Sequence, residues 1–469
     1  MLRTLLLLLL PSTCVLAQKM LPAAAIPGVI DSIHDRIVEL HPFAFEQDGV
    51  AALNQARTQV QGDVERAMKG RDSLSLLEVK RLASPLQEVT NCGHLILTTF
   101  YDSLTYVAIA ENHFPLRLTP VDDGRYLLSK GLRTTTDSLP PGTEIATLEG
   151  RPVVELIEAF SYFSGRNDQG YRDASRAGAA HGIAHTYQQY YGLQDSLRVT
   201  ANGQTYVLKP RHLPYVNPKK TPQDINDWLS FRMTNDGQTG VLRIRKFSAF
   251  EFHNGSYHRF IRSTFDSLRT AGIDQLVIDI RGNGGGSSRR IKFLFSFLSD
   301  KRFQFASAAR LTGPAKAEAG EDPKLTRRRA RGAASKSERR VQRGLTYRSR
   351  PQKAENRYSG RVVVLIDHLS FSASGMFARY VQGSGRGKLV GTIAGAAAGT
   401  TFGGSRNAQP FYVGPGKAFE LRVNTISLQI PHPIAGNVTP DVVVPVTAAG
   451  LRAGVDEQLE AALDLLAEM

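Results

Sequence analysis

Cysteine is nearly missing from this chain: 469 residues carry two, Cys14 and Cys92. Residues 1–17 read as a secretory signal peptide, with Arg3 as the positive start, Leu5–Leu10 as the apolar core and Val15-Leu16-Ala17 as the cleavage site before Gln18. Cleavage there discards Cys14, whose Pro11-Ser12-Thr13 approach is a poor acylation context. One thiol then remains, which excludes an internal disulfide. A long apolar run is missing too: the leader's is too short for a permanent anchor, so no transmembrane anchor is expected. The expected location is outside the cytoplasm, in the periplasm, at the cell surface or secreted.

Acidic residues are scarce, 43 against 58 Lys and Arg, for a net charge of +15. The deficit is local. Residues 310–357 hold 15 Lys or Arg against five acids (Glu318, Glu321, Asp322, Glu338, Glu355), so +10 of the +15 lies in one basic insertion. No nucleic-acid motif accompanies it, and nucleic acid is not an expected partner. Two readings remain, a solvated insertion and a contact with anionic envelope surfaces.

Cofactor signatures also fail. His181 and His185 stand four apart on an expected helix, but Gly182 follows the first where a metalloprotease has glutamate, so no metal is expected. Arg281-Gly282-Asn283-Gly284-Gly285-Gly286 follows a strand-like run, yet Ser287 replaces the last glycine of the dinucleotide fingerprint and the phosphate-loop lysine is absent. No organic cofactor is expected. The glycines suit a backbone that approaches a reacting group closely and exposes N–H donors, or a plain turn.

What is present is an α/β chain. Ile26–Asn91 has helical periodicity, with about three helices, the last starting near Leu74 and restarting at Pro85. Asn91-Cys92-Gly93-His94 leads into a strand at Leu95–Phe100. Residues 116–212 alternate short strands and turns like a PDZ-type module, with a tight hairpin at Asn202-Gly203 and a helical insertion over 160–193. Strands are expected at Val241–Phe247, Leu276–Ile280, Val362–Asp367, Leu389–Thr392, Glu420–Ile430 and Pro440–Val444. Helices are expected at His258–Ala271, Ser374–Gln382 and Asp456–Ala467.

Ser372 stands where the Val362–Asp367 strand breaks into a helix. There it is either an N-cap or a nucleophile with the free N–H groups of the helix's first turn beside it. Four elements together decide between them: Gly93-His94, the run Leu276–Gly286, Ser370-Phe371-Ser372-Ala373-Ser374, and Thr439–Val444. In order and spacing they resemble the serine peptidase family of C-terminal-processing (tail-specific) proteases and tricorn protease, closer to the tricorn-like, histidine-using branch. The resemblance implies a β-α spiral (ClpP/crotonase-like) peptidase core with an N-terminal helical region over 18–115, an inserted PDZ-like β domain over 116–212, and the core over 213–469. It makes Ser372 the nucleophile and His94 the base, with the oxyanion held by the N–H of Ala373 and one from Gly284 or Gly285. Polypeptides are the implied substrates. The lysine base of the processing branch would fall 25 residues after the serine, where Ala397 stands, and Gly375 replaces the motif's glutamate. No acid partner for His94 is identified. The alternative is a catalytically inactive homologue that binds peptides or lipids.

Overall fold

The computed structural model describes residues 20–99, 108–109, 111–162, 168–212, 226, 228–234, 236–247, 255–311, 346–403 and 410–469. The leader at 1–17 and residues 312–345 of the basic stretch lie outside the described residues.

Six strands form the central sheet: β1 (Leu229–Met233), β2 (Thr239–Ile244), β3 (Gln275–Asp279), β4 (Arg361–Ile366), β5 (Lys388–Gly391) and β6 (Val442–Val443). They lie side by side in chain order. β1 is antiparallel to β2, and every later pair is parallel, with Val277 opposite both Val241 and Val363. Each parallel step needs a crossover. Helices α1 (Ser256–Thr270), α2 (Ser288–Ser296) and α3 (Ala373–Gly383) fall between β2 and β3, β3 and β4, and β4 and β5.

Alternation along the strands decides what covers each face. Leu242, Leu276, Ile278, Val362, Val364 and Ile366 pack with Ile261, Leu268, Ile291, Leu294, Phe377 and Val381 of the crossover helices. Val241, Val277, Val363, Leu365 and Val390 point the other way, against Ala462 and Leu466 of α4 (Glu457–Glu468). A sheet covered on both faces selects unbroken β-branched runs, which is how the sequence reads. The main chain of Leu459 donates to Asp456, which caps α4, and Asp456 also accepts from Arg281 at the end of β3.

The N-terminal region packs four helices, Ile26–Leu40, Gly49–Met68, Leu76–Leu82 and Ser84–Glu88, into one apolar cluster with Leu95, Leu97, Phe419 and Leu421. The strand Ile96–Thr99 pairs with Phe419–Arg422, so the segment carrying His94 is fastened to the far end of the chain. The single strand expected at Glu420–Ile430 is two, Phe419–Arg422 and Ile426–Gln429, in different sheets. The buried polar pair Asn424 and Thr425 breaks the apolar alternation between them.

Within 116–212, strands Thr147–Leu148, Arg151–Pro152, Leu197–Ala201 and Gln204–Leu208 form a four-stranded sheet. Its hairpin turns through Asn202 (φ 50°) and Gly203 (φ 74°), both left-handed as a two-residue hairpin requires. The helices are Val153–Ser161, Arg172–His181 and Ile183–Tyr191. Gly182 interrupts the last two, so His181 and His185 do not share a helix. The folded body also reaches further into 310–357 than expected. Ala308–Leu311 pairs with Ile426–Gln429, and Ser349 exchanges backbone hydrogen bonds with Phe303.

Gly375, in the first turn of α3, lets that helix lie against the Ala394–Ala398 segment: a Cβ at 375 would stand 2.0 Å from Ala396 Cβ. The glutamate of the related motif has no room here. Gly375→Ala should therefore lower stability by about 1–3 kcal/mol through overpacking. Adding Ala396→Gly should recover much of that loss in denaturant melts. Additive losses in the double variant would show that the two positions are not coupled.

Candidate active site

The chain leaves β4 at Ile366 and enters α3 at Ala373, and the three serines of this joint have different surroundings. Ser370 Oγ donates to Ile280 O (3.0 Å) and accepts from Asp367 N (3.1 Å). Ser374 Oγ is buried without a partner among the described residues. Ser372 is partly exposed and sits at φ 57°, ψ −123°, in the N-cap position of α3 but without any side-chain cap bond. The N-cap reading therefore fails. A non-glycine residue in this conformation costs about 1–3 kcal/mol and persists only where its surroundings hold it.

Those surroundings are the glycine run after β3. Asp367 Oδ1 accepts from Gly282 N (2.9 Å), and Phe371 N donates to Asn283 O (3.1 Å). Gly285 has φ 97°, and a Cβ there would lie 2.8 Å from Ser372 Cβ and 2.9 Å from Ala373 N. Only glycine permits both the conformation and the approach. The N–H of Gly285 is already engaged, donating to Asn283 Oδ1 (2.9 Å), while Asn283 Nδ2 donates to Ile244 O (2.9 Å). The N–H groups of Gly284 and Ala373 have no acceptor among the described residues. Of the glycine donors expected from sequence, Gly284 is the free one.

His94 packs its ring 4.4 Å from that of Phe371, the residue before Ser372. Its Nδ1 is buried, makes no hydrogen bond, and lies 3.9 Å from Asp168 Oδ1. Asp168 is wholly buried and closely held. Its Oδ1 accepts from Gly93 N (2.9 Å), and its Oδ2 accepts from Ala397 N (3.2 Å) and Thr401 Oγ1 (3.0 Å). Its carbonyl accepts from Asn437 Nδ2 (3.1 Å). Burial pushes the His94 imidazolium down to about 4. Burial also pushes the Asp168 carboxyl up to about 6, against the opposing pull of its three donors. At neutral pH the ring is uncharged and the carboxylate ionised. Ala397, at the position of the absent lysine, contributes its backbone to holding the acid.

Sequence reasoning missed Asp168. It lies inside the helical insertion, 74 residues after His94 and 204 before Ser372. Its only local signal is the turn-like Asn167-Asp168-Gln169-Gly170, which marks a loop and not a role. Cys92 Sγ, His94 and Asp168 also place donor atoms within 4.8 Å of one another, the one such metal-capable group among the described residues.

The contact between Gly285 and Ser372 gives a direct test. Gly285→Ala should cut labelling of Ser372 by a fluorophosphonate at least tenfold while leaving the far-ultraviolet circular dichroism unchanged. Normal labelling would show that the glycine run does not shape the joint.

Residues 238–444 match the model of peptidase family S41. No curated protein matches the sequence. Among solved structures, a mutant of CPAF superposes with a TM-score of 0.61 at 15% identity, over 95% of this chain and 96% of that one. Mature CPAF gives 0.59 at 17% over 95% and 96%, and its complex with lactacystin 0.58 at 16% over 95% and 98%. At such identities these likenesses speak for the fold, while the family model covers the two loops that meet at Ser372. Residues 238–444 thus carry the likeness to peptidase family S41, and with it the chain is a serine-type peptidase.

Proposed function

We propose that this peptidase hydrolyses polypeptides through an acyl-enzyme, with Ser372 as nucleophile, His94 as base and Asp168 as the residue that positions the base. The observation that carries this reading is the joint itself. Ser372 is the one serine of three whose hydroxyl is neither spent on the backbone nor buried, and the nearby N–H groups of Ala373 and Gly284 have no acceptor among the described residues.

In the proposed reaction His94 Nε2 takes the proton of Ser372 Oγ as that oxygen attacks the scissile carbonyl. The N–H groups of Ala373 and Gly284 hold the oxyanion, each supplying about 3–4 kcal/mol in the transition state. His94 then passes its proton to the leaving amine, and water repeats the sequence on the ester. Asp168 fixes the tautomer with the proton on Nδ1. The 3.9 Å separation has to close by about 1 Å in the substrate complex, as such pairs commonly do.

The division into an N-terminal region (18–115), a PDZ-like domain (116–212) and a core (213–469) belongs to the same reading. Support comes from the separate apolar cluster of the inserted domain and from its four-stranded sheet, an architecture that suits an added peptide strand. A cleft of about 890 Å³ between that domain and the core, lined by Tyr171, Arg243, Arg281 and His368, suits an extended chain. Export after removal of residues 1–17, and contact of the basic stretch with anionic envelope surfaces, complete the proposal.

Ser372→Ala should abolish fluorophosphonate labelling, whereas Ser370→Ala and Ser374→Ala should retain it; loss in Ser374→Ala alone would move the nucleophile by two residues. His94→Ala should lower kcat/KM by about a hundredfold or more. Asp168→Asn should lower kcat by a similar factor with KM within about threefold, and Asp168→Glu should restore part of the loss. Equal kcat in wild type and Asp168→Asn would remove Asp168 from the mechanism.

A further inference from the structure

The pocket behind His94 contains more than a base and its acid. Cys92, two residues earlier, is buried and unpaired by any disulfide, and its Sγ joins the imidazole and the Asp168 carboxylate in a group whose donor atoms all lie within 4.8 Å. His94 Nδ1, the nitrogen 3.9 Å from Asp168, is buried and unpartnered. Around tetrahedral zinc, with bonds of about 2.0–2.3 Å, neighbouring ligand atoms stand roughly 3.3–3.7 Å apart. The group therefore needs to contract by about 1 Å to bind such an ion. One thiolate, one carboxylate and one neutral imidazole also balance a divalent cation, so the filled site carries no net charge into the interior.

We propose that Cys92, His94 and Asp168 form a site for zinc or a similar thiophilic divalent cation, and that its occupation switches the peptidase off. The inference rests on His94 being the base, and the cause of inhibition is the tautomer. A neutral imidazole has one N–H. With Asp168 alone behind it the proton sits on Nδ1, leaving Nε2 a lone pair to accept the proton of Ser372. With a metal on Nδ1 the proton sits on Nε2, which then donates and cannot accept. Binding releases one proton, from the Cys92 thiol, because only the thiolate bonds to the metal. Cys92 has no part in peptide hydrolysis, so this function separates from catalysis at one side chain.

The experiment uses the full chain with Cys14→Ser, leaving Cys92 as the one thiol. Zinc should inhibit it without competing with peptide substrate, and a chelator should restore the activity. Cys92→Ser and Cys92→Ala should keep basal activity and raise the half-inhibiting zinc concentration at least tenfold. Cobalt(II) provides a readout independent of activity. It should produce a thiolate-to-cobalt charge-transfer band in the near ultraviolet, also in inactive Ser372→Ala, and lose it in both Cys92 variants. If His94 is not the base, the cobalt band persists while zinc leaves activity untouched, which overturns the switch but not the site. Absence of the band, or equal zinc inhibition with and without Cys92, overturns the site. Should both Cys92 variants fail to fold, protection of the Cys92 thiol from alkylation by zinc decides the question, and unprotected alkylation refutes the proposal.

Discussion

A single buried carboxylate ties together parts of the chain that share no sheet. Asp168 receives hydrogen bonds from Gly93, beside the candidate base, and from Ala397 and Thr401, 229 and 233 residues further along. Its own carbonyl receives Asn437, 269 residues away. Taking a carboxylate out of water is costly unless donors surround it, and a buried one with three donors fixes the geometry of all of them. The segments around Gly93, Asp168, Ala397, Thr401 and Asn437 therefore meet at one charge. His94 stands beside that meeting point, its Nδ1 3.9 Å from the carboxylate.

Around this point the core is held together for simpler reasons. Parallel strands in chain order leave their carboxyl ends together, and there the loops after β3 and β4 are joined by backbone bonds and by the Gly285 approach. The strained Ser372 is held by that union, not by its own helix cap. Where related motifs carry glutamate and lysine, this chain has Gly375 and Ala397, and both are accommodated by close packing. Gly375 admits Ala396, and Ala397 offers its N–H to Asp168. The two departures describe one repacked wall.

How much of this the sequence disclosed follows from how local each signal is. The strands β3 and β4 are legible because burial on both faces demands uninterrupted apolar runs, and Gly285 because only glycine tolerates its position. Ser372 and His94 are singled out by the family resemblance of the motifs that carry them, each at the end of an element. Asp168 is not, since its role comes from contacts hundreds of residues apart and a lone acid in a turn carries no periodicity. The division of Glu420–Ile430 into two strands was hidden likewise: Asn424 and Thr425 are polar yet buried. The choice between Gly284 and Gly285 depends on which N–H the Asn283 side chain takes, a matter of angles that composition does not encode.

The partners of Asp168 also impose an order in time. A chain emerging from the ribosome acquires His94, Asp168 and then Ser372 well before residues 397, 401 and 437 exist to clasp the carboxylate. Until those late segments arrive, the acid has no complete set of donors. A nascent or truncated chain thus contains His94, Asp168 and Ser372 before the donors that clasp the carboxylate.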